Sequence, residues 1–283
     1  MITLFTTPRA FKDPFNIPQR NAIKSWTLLE PKCEIILFGN EEGVAEAAKE
    51  FGVRHVPEIE LNEFGTPVLG WTFNQTRKLA SFPLIGQLTG DIIIFGNFTK
   101  AAQKIRKDNF LMVGRRWDLD VPGAVDFNDP DWEEKLKQRF QKEGKMHGPS
   151  GSDYFVFPKD ALGEIPPFII GSPGWDNWMI YKARALKIPV VDATEEATII
   201  HQNHGRPRKA ADFYDSERRK NFELAGGSNR MCSLRDADWI LTSEGLRRPY
   251  FSRRIVSALS LFKPWRWLVS FKRKIQKYLK MNY

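Results

Sequence analysis

Cysteine and long apolar runs are scarce in this sequence, and each scarcity excludes a class of protein. The two cysteines, Cys33 and Cys232, lie far apart and lack the paired spacing of a disulfide framework or a zinc site. No apolar run approaches the roughly 20 residues needed to span a bilayer. The first residues lack the basic stretch that opens a signal peptide. We therefore expect a reducing, cytoplasmic environment.

Acidic residues are absent from the C-terminal end of the chain. No Asp or Glu follows Glu244, whereas eleven Lys and Arg do, so the net charge of +9 is concentrated there. The preceding part of the chain is close to neutral. We therefore expect the C-terminal segment to be the part of the chain that contacts the partner of this positive charge.

Hydrophobic and aromatic residues are plentiful, at 42% and 13% of the 283 residues. This composition favours a folded protein with aromatic-lined clefts. Short apolar runs alternate with segments of helical periodicity. Strands are predicted at Ile2–Thr7, Glu34–Phe38, Val53–Val56, Asp91–Phe95 and Phe110–Val113, and helices at Asn16–Leu29, Glu42–Phe51, Trp71–Ser81 and Asp131–Lys142. The alternation is typical of an α/β fold with a mostly parallel sheet covered on both faces.

The last part of the pattern is less regular. We expect a polar loop from Gly205 to Gly227 and a small helical piece from Arg230 to Leu246. Beyond Arg253, apolar residues recur at helical spacing with Lys and Arg mostly on the other side, which predicts a basic amphipathic tail.

The turn from Gly171 to Trp178 places one carboxylate, Asp176, among tryptophans at the start of a predicted helix. The field of a helix N-terminus favours a carboxylate there, and Asp176 can face a pocket. An apolar strand begins after Asp153, and a later strand ends at His201–His204. Loops that carry acid and imidazole groups are therefore expected to meet at one edge of the sheet.

The motifs at 113–120, 153–158, 174–178, 189–194 and 201–204 together resemble a family of nucleotide-sugar-dependent glycosyltransferases of the GT-A fold. The resemblance covers residues 1–248. It implies a Rossmann-like half, 1–120, that holds the sugar nucleotide, and a second half, 121–248, that shapes the acceptor pocket. The basic tail, 249–283, lies outside it.

The resemblance also implies a divalent cation, Mn²⁺ or Mg²⁺, on an Asp-x-Asp motif. Only the last acid of that motif, Asp91, is present after Thr89 and Gly90. A cation that also binds phosphate and water needs few protein ligands, so Asp91 with His204 or His201 can suffice. The alternatives are that Asp91 only begins a buried strand and that the histidines are structural.

Asp176 is the candidate general base of an inverting transfer, and Asp153 is the reserve candidate. A carboxylate must take the proton of an acceptor hydroxyl as its oxygen attacks the anomeric carbon. Neighbouring indoles would exclude water and raise the pKa of Asp176. The alternative is an ordinary acid at a helix N-terminus beside two core tryptophans.

Nucleotide-binding candidates follow the first two strands, where a doubly wound sheet places its ligand. They are Thr6, Thr7, Arg9, Asn40 and Glu41. Two further basic residues, Arg115 and Arg116, can bind donor or acceptor anions, or can pair with Asp118 and Asp120.

The expected partners are a nucleotide-sugar donor, a glycan or lipid-linked acceptor and, through Trp265, Trp267 and the basic residues of the tail, an anionic membrane surface at the cytoplasmic face. The tail can instead dock on its own domain. Nucleic acid is not expected. Two other functions stay open: a nucleotidyltransferase acting on a sugar phosphate, and a non-catalytic membrane-associated carbohydrate- or nucleotide-binding protein.

Overall fold

The computed structural model describes residues 1–204 and 211–250. Within these residues the chain forms two β-sheets and seven α-helices. The strands are β1 (Ile2–Thr6), β2 (Glu34–Phe38), β3 (Arg54–Val56), β4 (Leu84–Leu88), β5 (Ile92–Ile94), β6 (Leu111–Val113), β7 (Trp117–Leu119), β8 (Lys145–Met146), β9 (Tyr154–Pro158), β10 (Val190–Asp192), β11 (Ile199–Gln202), β12 (Trp239–Thr242) and β13 (Gly245–Arg247). The helices are α1 (Asn16–Thr27), α2 (Val44–Phe51), α3 (Leu69–Leu79), α4 (Asn97–Lys104), α5 (Trp132–Glu143), α6 (Trp175–Ala185) and α7 (Ala211–Leu224).

The larger sheet has nine strands in the order β3-β2-β1-β4-β9-β6-β10-β12-β13. Only β9 and β13 run antiparallel to their neighbours. Adjacent residues of β1 pack on opposite faces of this sheet. Leu4 lies in the same hydrophobic core as Trp26 on one face, and Phe5 lies in the same core as Phe73 on the other. Both faces are therefore covered, as the fully apolar strands require. This confirms the predicted α/β fold with a mostly parallel sheet.

The smaller sheet, β5-β11-β7-β8, was not predicted as a separate unit. In it, β11 runs antiparallel to β5 and parallel to β7, which places His201 opposite both Ile92 and Asp118. The indole Nε1 of Trp26 on α1 donates to the carbonyl oxygen of Ile92 at 2.8 Å. This register brings the Asp91 end of β5 beside the histidines of β11.

The central strand β4 was missed, because Leu84–Leu88 contains a glycine and a glutamine. Packing explains the glycine: a Cβ at Gly86 would lie 2.7 Å from Leu4 Cδ2 and 3.2 Å from Val156 Cγ2. The glycine therefore permits the close approach of neighbouring strand side chains.

Two predictions near the C-terminus were wrong. The expected polar loop contains helix α7, whose Glu217 and Asn221 are buried. The expected helical piece is instead two short 3₁₀ turns followed by the hairpin β12–β13, closed at Gly245 with φ +116°. Most of the predicted amphipathic tail lies at 251–283, outside the described residues. None of the described helices is both long and apolar enough to cross a bilayer.

Candidate active site

The candidate residues gather at one edge of the larger sheet. Thr6 ends β1, Thr89 follows β4, and Arg115 lies just beyond β6, all at the C-terminal ends of parallel strands. Asp153 lies at this same edge because β9, which it precedes, runs in the opposite direction. This is the edge where α/β sheets bind ligands.

A cluster of one carboxylate and two imidazoles lies at this edge. His204 Nε2 is 2.8 Å from Asp91 Oδ2, and His201 Nε2 is 3.5 Å from the same oxygen. One ligand atom from each of the three residues lies within 4.8 Å of the others. Both histidines therefore reach Asp91, although their spacing of three along the chain left open whether both would.

The environment of the cluster fits a cation. Burial alone raises the pKa of Asp91, but the hydrogen bond with His204 and the charges of His201 and His204 outweigh it and lower that pKa. Burial lowers the pKa of His201 and so favours the neutral imidazole that binds metals. Among the described residues, the buried Asp91 Oδ1 has no hydrogen-bond partner. A bound cation would satisfy this oxygen.

A second row of charged groups holds the cluster in place. Asp118 lies 3.5 Å from His201 Nδ1 through Oδ1, and 2.9 Å from His147 Nδ1 through Oδ2. Burial raises the pKa of Asp118, but hydrogen bonds with His147 and Arg116 lower it overall. Asp118 therefore acts on His201 through its charge, since His201 Nδ1 has no hydrogen-bond partner among the described residues. A carboxylate beside the second nitrogen of a metal-binding histidine favours one orientation of its ring.

Arg116 pairs with Asp118, which was the alternative to anion binding, and also with Asp153. Its Nε donates to Asp118 at 2.7 Å, and its Nη1 donates to Asp153 at 2.5 Å. Burial lowers the pKa of Arg116, but the two carboxylates raise it overall. The other Asp153 oxygen accepts from Thr89 Oγ1 at 3.1 Å. Thr89, in place of the first acid of the Asp-x-Asp motif, therefore contacts a carboxylate from another strand.

Arg115 differs from its neighbour. Its backbone N–H donates to Thr194 Oγ1 at 2.9 Å, and its Nε donates to the carbonyl oxygen of His147 at 2.6 Å. It forms no ion pair with Asp120 among the described residues; that carboxylate accepts from Asn203 at 2.8 Å.

Asp176 lies in the first turn of α6. The backbone N–H of Gly174 donates to its Oδ1 at 3.3 Å. Burial raises its pKa to about 6; the backbone hydrogen bonds oppose this shift and the negative charge of Asp153 adds to it. The adjacent indoles are in the core, where Trp175 packs on Phe155 and Trp178 on Phe168.

Helix α7 fixes the turn that carries Asp176. Asn221 accepts from the N–H of Ile169 at 2.8 Å and donates to the carbonyl oxygen of Ser172 at 3.1 Å. Glu217 accepts from Ser172 Oγ at 2.7 Å and from Thr66 Oγ1 at 2.9 Å. Two buried polar side chains of α7 therefore hold the backbone just before α6.

The nucleotide candidate Arg9 is joined to the cluster through Phe15. The guanidinium of Arg9 lies 4.9 Å from the Phe15 ring centroid, and that ring lies edge-on to His204 at 4.8 Å. Gln19 holds the loop by accepting from the Arg9 N–H at 2.7 Å and donating to its carbonyl oxygen at 2.9 Å. An exposed cation, a largely buried ring and the metal candidates therefore form one chain of contacts.

The other nucleotide candidates are placed less closely. Thr6 is buried, with its Oγ1 3.6 Å from where a Cβ of Gly90 would lie. Thr7 is half-buried, and Asn40 and Glu41 are exposed after β2. None of the described contacts joins Asn40 or Glu41 to the Asp91 cluster.

Sequence reasoning missed several residues that shape this site. Phe15 and His147 carried no spacing signal, and Asp118 was considered only as a partner of the arginines. Gln202 is fully buried, donates to the carbonyl oxygens of Asp91 and Pro18, and accepts from Asn21. A glutamine between two histidines in the motif at 201–204 was the available signal for it.

No protein-family model and no curated protein matches this chain in sequence. Solved structures similar to it include glucosyl-3-phosphoglycerate synthase from Mycobacterium tuberculosis in several complexes. With Mn²⁺, UDP and phosphoglyceric acid the TM-score is 0.47 at 13% identity, over 80% of this chain and 79% of that one. For the same synthase with Mg²⁺ and UDP, the TM-score is 0.46 and the sequence identity is 12%, over 80% of each chain.

Proposed function

We propose that this protein is a metal-dependent glycosyltransferase that uses a nucleoside diphosphate sugar as donor. The observation that carries the proposal is the chain of contacts from Arg9 through Phe15 to His204 and Asp91. It joins an anion-binding side chain, a ring and a cation site at the ligand-binding edge of the sheet. These groups suit a nucleoside diphosphate, whose phosphates can bind both an arginine and a cation.

Asp91, His204 and His201 would hold the cation. When bound, the cation would neutralise the diphosphate leaving group. Two imidazoles among three ligands favour Mn²⁺ over Mg²⁺, which prefers an all-oxygen environment. Asp118 and His147 position His201 and are not ligands in this proposal.

The nucleotide would lie along the ends of β1 and β2. Arg9 can pair with a phosphate, and the half-buried Thr7 offers a hydroxyl beside the same loop, whereas Thr6 is buried. Asn40 and Glu41 are free to reach ribose or base because both are exposed. Arg115 can bind a donor or acceptor anion, whereas the ion pairs of Arg116 suit a supporting role.

Asp176 would act as the general base. As the C–O bond between the anomeric carbon and the diphosphate breaks, the acceptor oxygen forms the new C–O bond and its proton passes to Asp176. A pKa of about 6 keeps this carboxylate ionised at neutral pH yet basic enough to accept a proton. Such a transfer inverts the anomeric centre. Asp153 is less suited as base because it is held by Arg116 and Thr89.

The acceptor is proposed to be a glycan or a lipid-linked sugar, at the cytoplasmic face of a membrane. Support for the membrane comes from the sequence, in which Trp265 and Trp267 lie among basic residues. With a lipid-linked acceptor, the tail would bring the catalytic edge to its substrate.

The proposal is tested by following hydrolysis and transfer over a panel of nucleoside diphosphate sugars with and without Mn²⁺. We expect Mn²⁺-dependent release of one nucleoside diphosphate, abolished in Asp91→Ala. Release of pyrophosphate from a nucleoside triphosphate and a sugar phosphate would instead identify a nucleotidyltransferase. Mn²⁺-dependent binding without any turnover, unchanged in Asp176→Ala, would identify a binding protein.

A further inference from the structure

A basic cavity lies at the opposite edge of the larger sheet from the candidate active site. Its volume is about 390 Å³. Its lining residues come from the segments before β6 and β10, the end of α6, the start of β12 and the residue after β13. They are Lys107, Arg184, Lys187, Ile188, Pro189, Asp238, Trp239 and Arg248. Because β6, β10 and β12 are parallel, all these segments meet where the strands begin. The cavity is therefore separate from the Asp91 cluster.

The charges around the cavity do not cancel. Arg184 lies 3.8 Å from both Asp236 and Asp238, so its charge is balanced within the fold. The remaining three cations are Lys107, Lys187 and Arg248. Among the described residues, no carboxylate forms an ion pair with any of them. Four cations against the two carboxylates Asp236 and Asp238 leave a net charge of about +2 around this concave surface, which attracts an anion.

Trp239 holds two of these cations at the cavity. Lys107 Nζ lies 4.6 Å from the centroid of its ring, and Arg248 Cζ lies 3.8 Å from it. Such contacts place the charged groups without neutralising them. The cations are thus positioned by a neutral partner and keep their capacity for an anionic ligand.

Lys187 occupies a backbone position that favours glycine. It has φ +60°, and it is the only non-glycine residue with positive φ in the described part of the chain. The N–H of Lys187 donates to the carbonyl oxygen of Arg184 at 3.0 Å, and that of Ile188 donates to Ala183 at 2.8 Å. This pattern ends α6 with a left-handed residue, at a position where glycine is usual. A lysine kept there at a cost in strain points to a role for its side chain.

We propose that this cavity is a second anion site, which binds a phosphate group through Lys107, Lys187 and Arg248. The guanidinium of Arg248 supplies a planar pair of donors, and the lysines supply point charges. The basic segment follows directly, with nine Lys and Arg and no acid among residues 251–283. The phosphate can be that of a soluble ligand or of a lipid headgroup reached together with this segment.

The test uses the full chain labelled with fluorotryptophan, with Trp239→Phe assigning one of the nine indole resonances. Inorganic phosphate is titrated in EDTA, which removes any cation-dependent binding at Asp91. We expect the Trp239 resonance to shift, and the shift to require about tenfold more phosphate in Lys187→Gly. Arg9→Ala, at the other edge, should titrate like the wild type.

A parallel arm uses phosphatidylcholine vesicles with and without phosphatidic acid. A Trp239 response to phosphatidic acid vesicles that weakens in Lys187→Gly, without a response to inorganic phosphate, identifies a lipid headgroup site. The wild type and Lys187→Gly both contain the basic segment, so binding of that segment to the vesicles contributes equally to the two responses. A Trp239 resonance that responds to neither ligand, or responds equally in Lys187→Gly, overturns the proposal.

Lys187→Gly also separates binding from folding. Glycine adopts the left-handed backbone conformation of position 187 without strain. The Tm of Lys187→Gly should therefore rise by about 2–4 °C even as phosphate binding weakens. Lys187→Ala, which keeps the strain and removes the charge, should bind as weakly as glycine without that gain. Glycosyl transfer from a soluble acceptor should be unchanged in both variants.

Discussion

His204 Nε2 lies 2.8 Å from Asp91 Oδ2, although 113 residues separate the two in sequence. The contact depends on the smaller sheet, in which β11 and the residues that follow it place His201 and His204 beside the start of β5. It brings together the proposed ligand atoms of the candidate cation site.

The first prediction concerns the row of charges behind the cluster. Asp118→Asn should weaken Mn²⁺ binding by about 10–100-fold, because it loosens the orientation of His201. Calorimetric titration with Mn²⁺ measures this directly. The exposed Asp108→Asn, at the other edge of the sheet, is the matched control and should bind as the wild type does. Equal affinities in the two variants would show that Asp118 does not orient a metal ligand.

The second prediction concerns the base. Asp176→Asn should lower kcat by about a hundredfold or more, since a positioned general base contributes that much. Its affinity for Mn²⁺ and for the nucleoside diphosphate should not change. The wild-type rate should fall as pH falls through about 6, where the carboxylate becomes protonated. A kcat that stays level down to pH 5 would contradict a role for Asp176 as base.

The third prediction concerns stability. Because the folded pKa of Asp176 is raised from 3.8 to about 6, the folded state binds its proton more tightly than the unfolded state. The stability this gives is present below pH 4 and is lost as pH rises to about 6. Asp176→Asn should therefore gain stability relative to the wild type between pH 4.5 and pH 7.5, by up to about 3 kcal/mol. Urea unfolding at pH 4.5 and pH 7.5 measures the free energy of unfolding of both proteins. A difference between the two proteins that does not grow with pH would contradict the raised pKa of Asp176.

The fourth prediction concerns the nucleotide. Arg9→Ala should raise KM for the nucleotide sugar by about tenfold, because a charge-assisted contact to phosphate is lost. Its kcat should change little, since Arg9 does not touch the reacting atoms in the proposed function. Arg139→Ala on α5 serves as control. An unchanged KM in Arg9→Ala would place the diphosphate elsewhere.

The fifth prediction concerns the support of the Asp176 turn. Asn221→Leu leaves the buried N–H of Ile169 and carbonyl oxygen of Ser172 without their partner. It should destabilise the fold by about 2–4 kcal/mol and lower kcat with it. Denaturant unfolding and initial rates at 15 °C separate the two effects. Full activity in a destabilised variant would show that α7 supports the fold but not the site.

The sequence predicted most of the larger sheet because its strands are short, apolar and separated by helical segments. It failed at Leu84–Leu88, where only tertiary packing explains a glycine. It failed again after residue 205, where the polar surface of α7 resembles a loop. Its buried Glu217 and Asn221 bind backbone and hydroxyl groups that are distant in sequence.

The candidate site was predictable in its chemistry but not in its connections. Asp91, His201 and His204 were identified from residue type and motif, and Asp176 from its place at a helix start. The links through Asp118 and His147 depend on the register of a sheet that periodicity did not reveal, and the link through Phe15 depends on the loop that precedes α1. The pKa of Asp176 is raised by burial, as expected, and both neighbouring indoles pack into the core.

The central claim is that Asp91, His201 and His204 together bind a cation that also contacts the diphosphate. Electron spin echo spectroscopy of bound Mn²⁺ tests it most directly, since it detects nitrogen and phosphorus nuclei close to the ion. We predict imidazole nitrogen couplings that are reduced in His201→Ala and in His204→Ala, and a phosphorus coupling when a nucleoside diphosphate is added. Bound Mn²⁺ without nitrogen coupling, or without phosphorus coupling at saturating nucleoside diphosphate, would contradict it.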